Sequence, residues 1–133
     1  MPTDKDLGTI ADIDRVVHSP ARLMILAYLA AVDSADFIFL MNQVGLTRGN
    51  LSSHLNTLEE AGYVDIQKEF VDKVPRTLIR LTEAGREAIQ TYREQMRTVI
   101  DELLGEGNEL SYNAAGEQAS PAVLFAYILI NIT

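Results

Sequence analysis

TRGNLSSHLNTLEEAGYV, residues 47–64, has the pattern of a capped helix that runs directly into a strand. Thr47 has the side chain of an N-cap, Leu51, Leu55 and Leu58 fall on one helical face, Gly62 stops the helix, and an alternating strand begins at Tyr63. At about 100° per residue, the face opposite the leucines carries Gly49, Ser53, Asn56 and Glu60, flanked by Ser52 and Thr57. Small and amide-bearing side chains on an outward face suit close approach to a groove of nucleic acid; on this helix alone, an ordinary solvated surface reads the same way.

Upstream, Gly45 and Leu46 make the turn before Thr47, and residues 37–44 form a short helix with Asp36 as N-cap and Phe37, Leu40, Met41 and Val44 inward. A short helix, a Gly-containing turn and a longer helix make a helix-turn-helix. Residues 33–36 are expected to be a loop. Before it, Ser19 as N-cap and Pro20 at the first helical position open a helix over 20–32 that is apolar nearly all round, which marks it as central to the core. Arg22 is its basic residue, read as a surface or capping ion pair, with a phosphate contact as the alternative. Ile10, Ile13, Val16 and Val17 predict a short amphipathic helix over 8–17, either reaching a partner subunit or covering the domain's own core. The polar residues 1–7 are expected to fray.

Downstream, Val64, Ile66, Lys68 and Phe70 alternate with Asp65, Gln67 and Glu69, a half-buried strand over 63–71. Pro75 cannot donate to a central ladder, so residues 72–75 are expected to bend, and residues 76–81 return as a strand with Thr77, Ile79 and Leu81 on one face. Lys73 and Arg76 lie at or beside the tip of this hairpin, with Lys68 and Arg80 further down. Such cations suit phosphates or a minor groove; solubility and edge protection are the plainer reading. Thr82 caps a third long helix, in which Ile89, Tyr92, Met96, Val99 and Leu103 recur at intervals of three and four, a short heptad seam fit for part of a dimer interface, with packing back on the domain's own core as the alternative. Residues 105–120 read as a linker. The apolar tail over 121–133 is too short to span a bilayer as a helix and is expected to be a buried helix or strand completing the dimer, with a membrane-surface contact or an exposed tail of low order as the alternatives.

The 133 residues suffice for one domain with an appendage, and the absence of cysteine excludes disulfides, thiolate metal sites and a cysteine nucleophile. His18 and His54 have no partner at metal-ligand spacing, no nucleotide loop or cofactor motif occurs, and the acidic residues are spread over solvated faces, so no enzyme is expected. The N-terminus lacks an export signal, which makes the cytoplasm the default location. The net charge of -8 opposes nucleic-acid binding, yet residues 63–81 carry four basic against three acidic side chains and are the net-positive segment. DNA affinity would therefore be local, modest per subunit and salt-sensitive.

The runs HSPARLMILAYL (18–29), ADFIFLMNQVGLTRGNLSSHLNTLEEAGYV (35–64) and FVDKVPRTLIRLTEAGREAI (70–89) together resemble winged helix-turn-helix transcriptional regulators, the small archaeal and bacterial proteins related to the arsenical-resistance and multiple-antibiotic-resistance repressors. The resemblance covers residues 8–104. It implies an α+β, mainly helical fold, a three-helix core with a β-hairpin wing, and additional terminal helices that dimerise. It matches Thr47, Arg48, Asn50, Ser52, Ser53, His54 and Asn56 to the recognition helix and Lys73, Arg76 and Thr77 to the wing. His54 lies nearer the buried flank and is read as a packing or positioning residue, Arg48 as a phosphate or guanine contact, and Asn56 as an adenine reader. Metal sensing through cysteines is excluded.

The function expected is a homodimeric, sequence-specific DNA-binding regulator acting as a repressor on double-stranded DNA, without cofactor or metal or membrane contact, and open to control by a small-molecule effector. A winged-helix protein-interaction module without DNA binding is the alternative. The expected organisation is a winged helix-turn-helix over 8–81, a dimerisation helix over 82–104, and a linker with apolar tail over 105–133.

Overall fold

The computed structural model describes residues 10–101; Leu103, the linker and tail over 105–133, and residues 1–9 lie outside them. The described chain contains α1 (Pro20–Ala30), β1 (Ala35–Asp36), α2 (Phe37–Val44), α3 (Arg48–Glu60), β2 (Val64–Val71), β3 (Val74–Leu81) and α4 (Glu83–Thr98). Four helices and a three-stranded antiparallel sheet of order β1-β3-β2 make a winged helix, α+β and mainly helical. Among the described residues no helix is long and apolar enough to cross a membrane, and no group of three or more His, Asp or Glu side chains is placed to hold a metal ion.

The chain divides into two compact units. Residues 15–89 form the winged helix itself. Its core is α1, whose Leu23, Ile25, Leu26 and Leu29 are buried, packed on α2, α3 and β3. Leu51, Leu55 and Leu58 of α3, Leu40 and Val44 of α2, and Val64 and Ile79 of the sheet complete it. Each fully buried leucine contributes roughly 1.5–3 kcal/mol, so the three on α3 hold that helix by one face and leave the other to solvent.

The caps form as the side chains dictate. Ser19 Oγ accepts from Arg22 N (3.4 Å), Asp36 Oδ2 from Ile38 N (3.1 Å) and Phe39 N (3.2 Å), and Thr47 Oγ1 from Asn50 N (3.1 Å). Gly45, at φ 68°, closes α2 in the left-handed conformation, its N–H returning to Met41 O (3.0 Å). Thr82 Oγ1 accepts from Gly85 N (3.0 Å) and donates to Gly62 O (2.6 Å), while Thr82 N donates to Tyr63 O (3.0 Å). The start of α4 is thereby pinned to the junction between α3 and β2. Gly85 is required there: a Cβ would collide with the Tyr63 carbonyl oxygen and lie 2.7 Å from Leu81 Cδ1.

Four expectations are corrected. Residues 33–36 are not wholly loop, since Ala35 and Asp36 pair with Ile79 and Leu78 as a third strand. The hairpin bend is only Asp72 and Lys73, at φ 51° and 69°, and Val74 and Pro75 belong to β3. Positive φ at both central residues gives a type I′ turn, whose twist matches the strands it joins. Pro75 is tolerated because Val71 and Val74 form the closing pair, so the alternation of the ladder turns the Pro75 nitrogen away from β2, at a height β1 does not reach. Phe70 is 76% exposed, not half-buried, because the wing runs past the core at this point. Finally, helical geometry before α1 is confined among the described residues to Ile10 and Ala11; the carbonyls of Arg15 and Val16 accept from Arg22 instead of from a helical N–H.

The second unit comprises, among the described residues, 10–14 and 90–101. Here Gln95 Nε2 donates to Asp12 O (3.2 Å), Arg97 pairs with Glu94 (2.9 Å), and Tyr92 and Ile100 are buried. Burial raises the Tyr92 hydroxyl above its ordinary pKa. Of the predicted seam, Tyr92 is buried while Ile89, Met96 and Val99 are partly exposed.

Candidate nucleic-acid interface

The short α2, the left-handed Gly45 and the Thr47 cap fix where α3 starts, and its three buried leucines fix which way it faces. Thr47, Arg48, Gly49, Asn50, Ser53 and Asn56 are exposed, and Ser52 is half-buried. Arg48, Ser52 and Asn56, spaced by four, form the stripe on the side of the wing. With Lys68 of β2 and Arg76 and Thr77 of β3 they line a cleft of about 560 Å³ whose remaining wall includes Asp36 and Phe37.

The charge in this cleft differs from that of the chain. Arg48, Lys68 and Arg76 supply three cations against the one carboxylate of Asp36, in a protein of net charge -8. Two of the cations are held. The Arg48 guanidinium lies over the Phe37 ring, 5.5 Å from its centroid, a cation–π contact that restricts a long side chain. Arg76 Nε lies 3.5 Å from Asp36 Oδ1, in an exposed pair that positions more than it stabilises. Asp36 thus joins two tasks, its Oδ2 capping α2 and its Oδ1 facing Arg76.

Five of the residues expected to contact DNA meet in this cleft: Arg48, Ser52, Asn56, Arg76 and Thr77. Thr47, Asn50 and Ser53 are exposed on α3 outside it, and Lys73 stands at the turn of the wing. Asp36 and Phe37 were not expected in the site. The N-cap signal of Asp36 and the inward spacing of Phe37 accounted for both residues locally, and only the return of β3 beside β1 brings Arg76 to them. Lys68 was legible, since it shares the alternating face of Ile66, which also lines the cleft.

Arg22 is neither a surface ion pair nor placed with the cleft. Its Nε donates to Val16 O (2.6 Å), its Nη2 to Arg15 O (3.3 Å), and its Nη1 lies 3.1 Å from Nδ1 of His54 on α3. Desolvation first, and the Arg22 charge second, lower the His54 pKa from its ordinary 6.5. The imidazole is therefore favoured neutral, with Nδ1 as acceptor and the proton on Nε2.

A helix held by one face beside a cation-bearing hairpin defines a winged helix built to bind DNA. The chain belongs to the winged helix DNA-binding domain family, whose profile matches residues 21–100, and it is a DNA-binding transcriptional regulator. It is similar to an uncharacterised protein of Methanocaldococcus jannaschii, 36% identical over 78 residues that make up 59% of this chain and 85% of that one. Among solved structures, a transcriptional regulator homologue from Pyrococcus horikoshii superposes with a TM-score of 0.67 at 32% identity, covering 75% of this chain and 98% of the other. The PcaV transcriptional regulator of Streptomyces coelicolor, solved in complex with its natural ligand, shares the fold with a TM-score of 0.60 at 22% identity, covering 93% and 80%.

Proposed function

We propose that this regulator is a homodimer that represses by occluding promoters, with α3 in the major groove and the wing beside it. The observation that carries the reading is the cleft between α3 and β3, where Arg48, Lys68 and Arg76 concentrate positive charge on an acidic chain. Arg48, near the start of α3, contacts a guanine or a phosphate, and Asn56, eight residues on, reads an adenine edge. Thr47, Asn50, Ser52 and Ser53 approach the groove walls and backbone, and Lys73, Arg76 and Thr77 hold the phosphates at the wing. Dimerisation runs through Ile89, Met96, Val99 and Leu103 of the predicted seam, with Tyr92 buried within its own chain behind them, in the segment 82–104 that follows the winged helix of residues 8–81, and the apolar tail after the 105–120 linker adds to it. Two-fold symmetry then requires an approximately palindromic operator with half-sites about one helical turn, roughly 34–36 Å, apart.

A small-molecule effector acts by changing the spacing of the two recognition helices, a reading supported by the ligand complex of PcaV. The protein works in the cytoplasm and carries out no reaction. Fluorescence anisotropy on duplexes selected from a random pool, read at low and high salt, tests the proposal. Binding that is sequence-selective and salt-sensitive is expected, with Arg48→Ala and Arg76→Ala each weakening it. Removing a cation that neutralises one phosphate should reduce the log–log salt slope by about 1. No binding at low salt would leave the interaction-module reading, and a strict monomer at micromolar concentration by sedimentation would remove the dimer.

A further inference from the structure

We infer that the Arg22 guanidinium, held between the carbonyls of Arg15 and Val16 and the Nδ1 of His54, sets the recognition helix in place, so that Arg22 and His54 are positioning residues for DNA binding and not DNA contacts. The inference rests on α3 being the helix that enters DNA.

The geometry has three parts. Arg22 lies in the first turn of α1, the central helix of the core, where Ser19 caps its own backbone N–H. Its planar fork spends donors from Nε, Nη1 and Nη2 on two different segments, the chain entering α1 and the middle of α3. His54 is on the flank of α3 away from the cleft: counted at about 100° per residue, it sits across the helix from Ser52 and Asn56. The leucines Leu51, Leu55 and Leu58 fix which way α3 faces, but apolar burial is non-directional and supplies no hydrogen bond that sets the exact position of the helix on the core. The hydrogen bond to His54 is directional and adds that restraint on the flank of α3 away from the cleft.

This tie differs from a phosphate clamp in what it predicts. A cation that neutralises a phosphate releases counterions, and its removal flattens the salt dependence of binding. A residue that only orients the helix lowers affinity at every salt concentration alike. The tie is also sensitive to protons. The charged group whose field acts on His54 is Arg22, presented from α1, and an imidazolium has no lone pair to offer it and repels it. Acidification far enough below the ordinary 6.5 to protonate His54 therefore breaks the tie without touching the cleft.

The test uses the full chain and a duplex selected from a random pool for binding to the unaltered protein. Arg22→Lys, which keeps the charge and loses the fork, and His54→Leu are each expected to weaken binding about tenfold, as loss of a hydrogen bond to a charged group implies, with the salt slope unchanged. His54→Asn, which restores an acceptor near the Nδ1 position, is expected to keep the affinity and to abolish the loss of binding that the unaltered protein shows as pH falls below 6.5 through the lowered pKa of His54. A salt slope lowered by about 1 in Arg22→Lys would make Arg22 a phosphate contact and overturn the inference. So would unchanged affinity in both Arg22→Lys and His54→Leu. Amide exchange in the free protein separates the inference from the DNA reading: faster exchange along α3 in Arg22→Lys, with the fold otherwise retained, is expected even if no duplex binds. Unchanged exchange there would refute the tie.

Discussion

Two glycines in helices, Gly85 in α4 and Gly49 in α3, should respond to the same substitution with opposite sign. A Cβ at Gly85 would strike the Tyr63 carbonyl oxygen, itself engaged by Thr82 N at 3.0 Å, and would stand 2.7 Å from Leu81 Cδ1. The Leu81 methyl can turn aside, but the carbonyl belongs to the backbone at the head of β2 and moves only with the strand. Forcing in such a methyl costs about 1–3 kcal/mol or more, against roughly 0.5–1 kcal/mol gained on replacing a helical glycine by alanine. Gly85→Ala should therefore lose about 1–2 kcal/mol, a fall in Tm of roughly 5–10 °C for a domain of this size. A Cβ at Gly49 meets nothing within 4 Å, so Gly49→Ala keeps the helix-propensity gain alone, a rise of roughly 3–5 °C. Thermal and urea denaturation followed by far-UV circular dichroism measure both, with an unchanged m-value required for the comparison. If Gly85→Ala were as stable as the unaltered protein while Gly49→Ala gained as expected, the close packing of α4 against the α3–β2 junction would be disproved.

Three further outcomes follow from the caps and charges. Thr47→Ala removes the acceptor for Asn50 N and should cost about 1 kcal/mol of stability in equilibrium denaturation, while Thr47→Ser should restore most of it. Asp36→Asn keeps a capping oxygen for α2 but removes the one carboxylate of the cleft, so DNA affinity by anisotropy should rise at low salt; a fall would show that Asp36 matters more for aiming Arg76 than for its charge. His54, with its folded pKa lowered from 6.5, makes the unfolded chain the better proton binder just below that pH. Its contribution to stability is therefore complete above 6.5 and is lost as pH falls from there through the folded value, a decline that a urea-midpoint series should show and that His54→Asn should lack.

The sequence was most readable where a single side chain decides a local structure. Ser19, Asp36, Thr47 and Thr82 each begin a helix because each has an oxygen that can reach a nearby backbone N–H, and neighbours within three residues suffice to see it. The leucine spacing of α3 fixed its orientation for the same reason. What escaped depends on residues far apart in the chain. A two-residue strand at Ala35 and Asp36 has no period to detect and exists only because β3 passes beside it. Pro75 marked a break when read as part of a central strand, but β1 is too short to make that portion of β3 central. Alternation put Phe70 inward, and the pattern was right about the strand while saying nothing about where the core beneath it ends. In the cleft, the polar residues of α3 and the cations of the wing were legible as types; that Asp36 and Phe37 restrain Arg76 and Arg48 was not, because capping and core packing already explained them.

The position of Pro75 has one more consequence. Toward the wing tip from Thr77 the outer edge of β3 has no strand neighbour among the described residues, and it leads to a wing end where Phe70 and Val74 are 76% and 61% exposed. An open edge beside apolar side chains is a template for adding a strand from another molecule, the first step of aggregation. The alternation of the ladder turns the backbone groups of Pro75 and Thr77 outward along that edge, and Pro75 has no N–H to give. At Pro75 an incoming strand would find an acceptor without a donor, and its ladder would be interrupted there. The proline that looked like an interruption of the hairpin leaves the wing apolar enough to meet a partner while denying that partner's backbone an unbroken ladder.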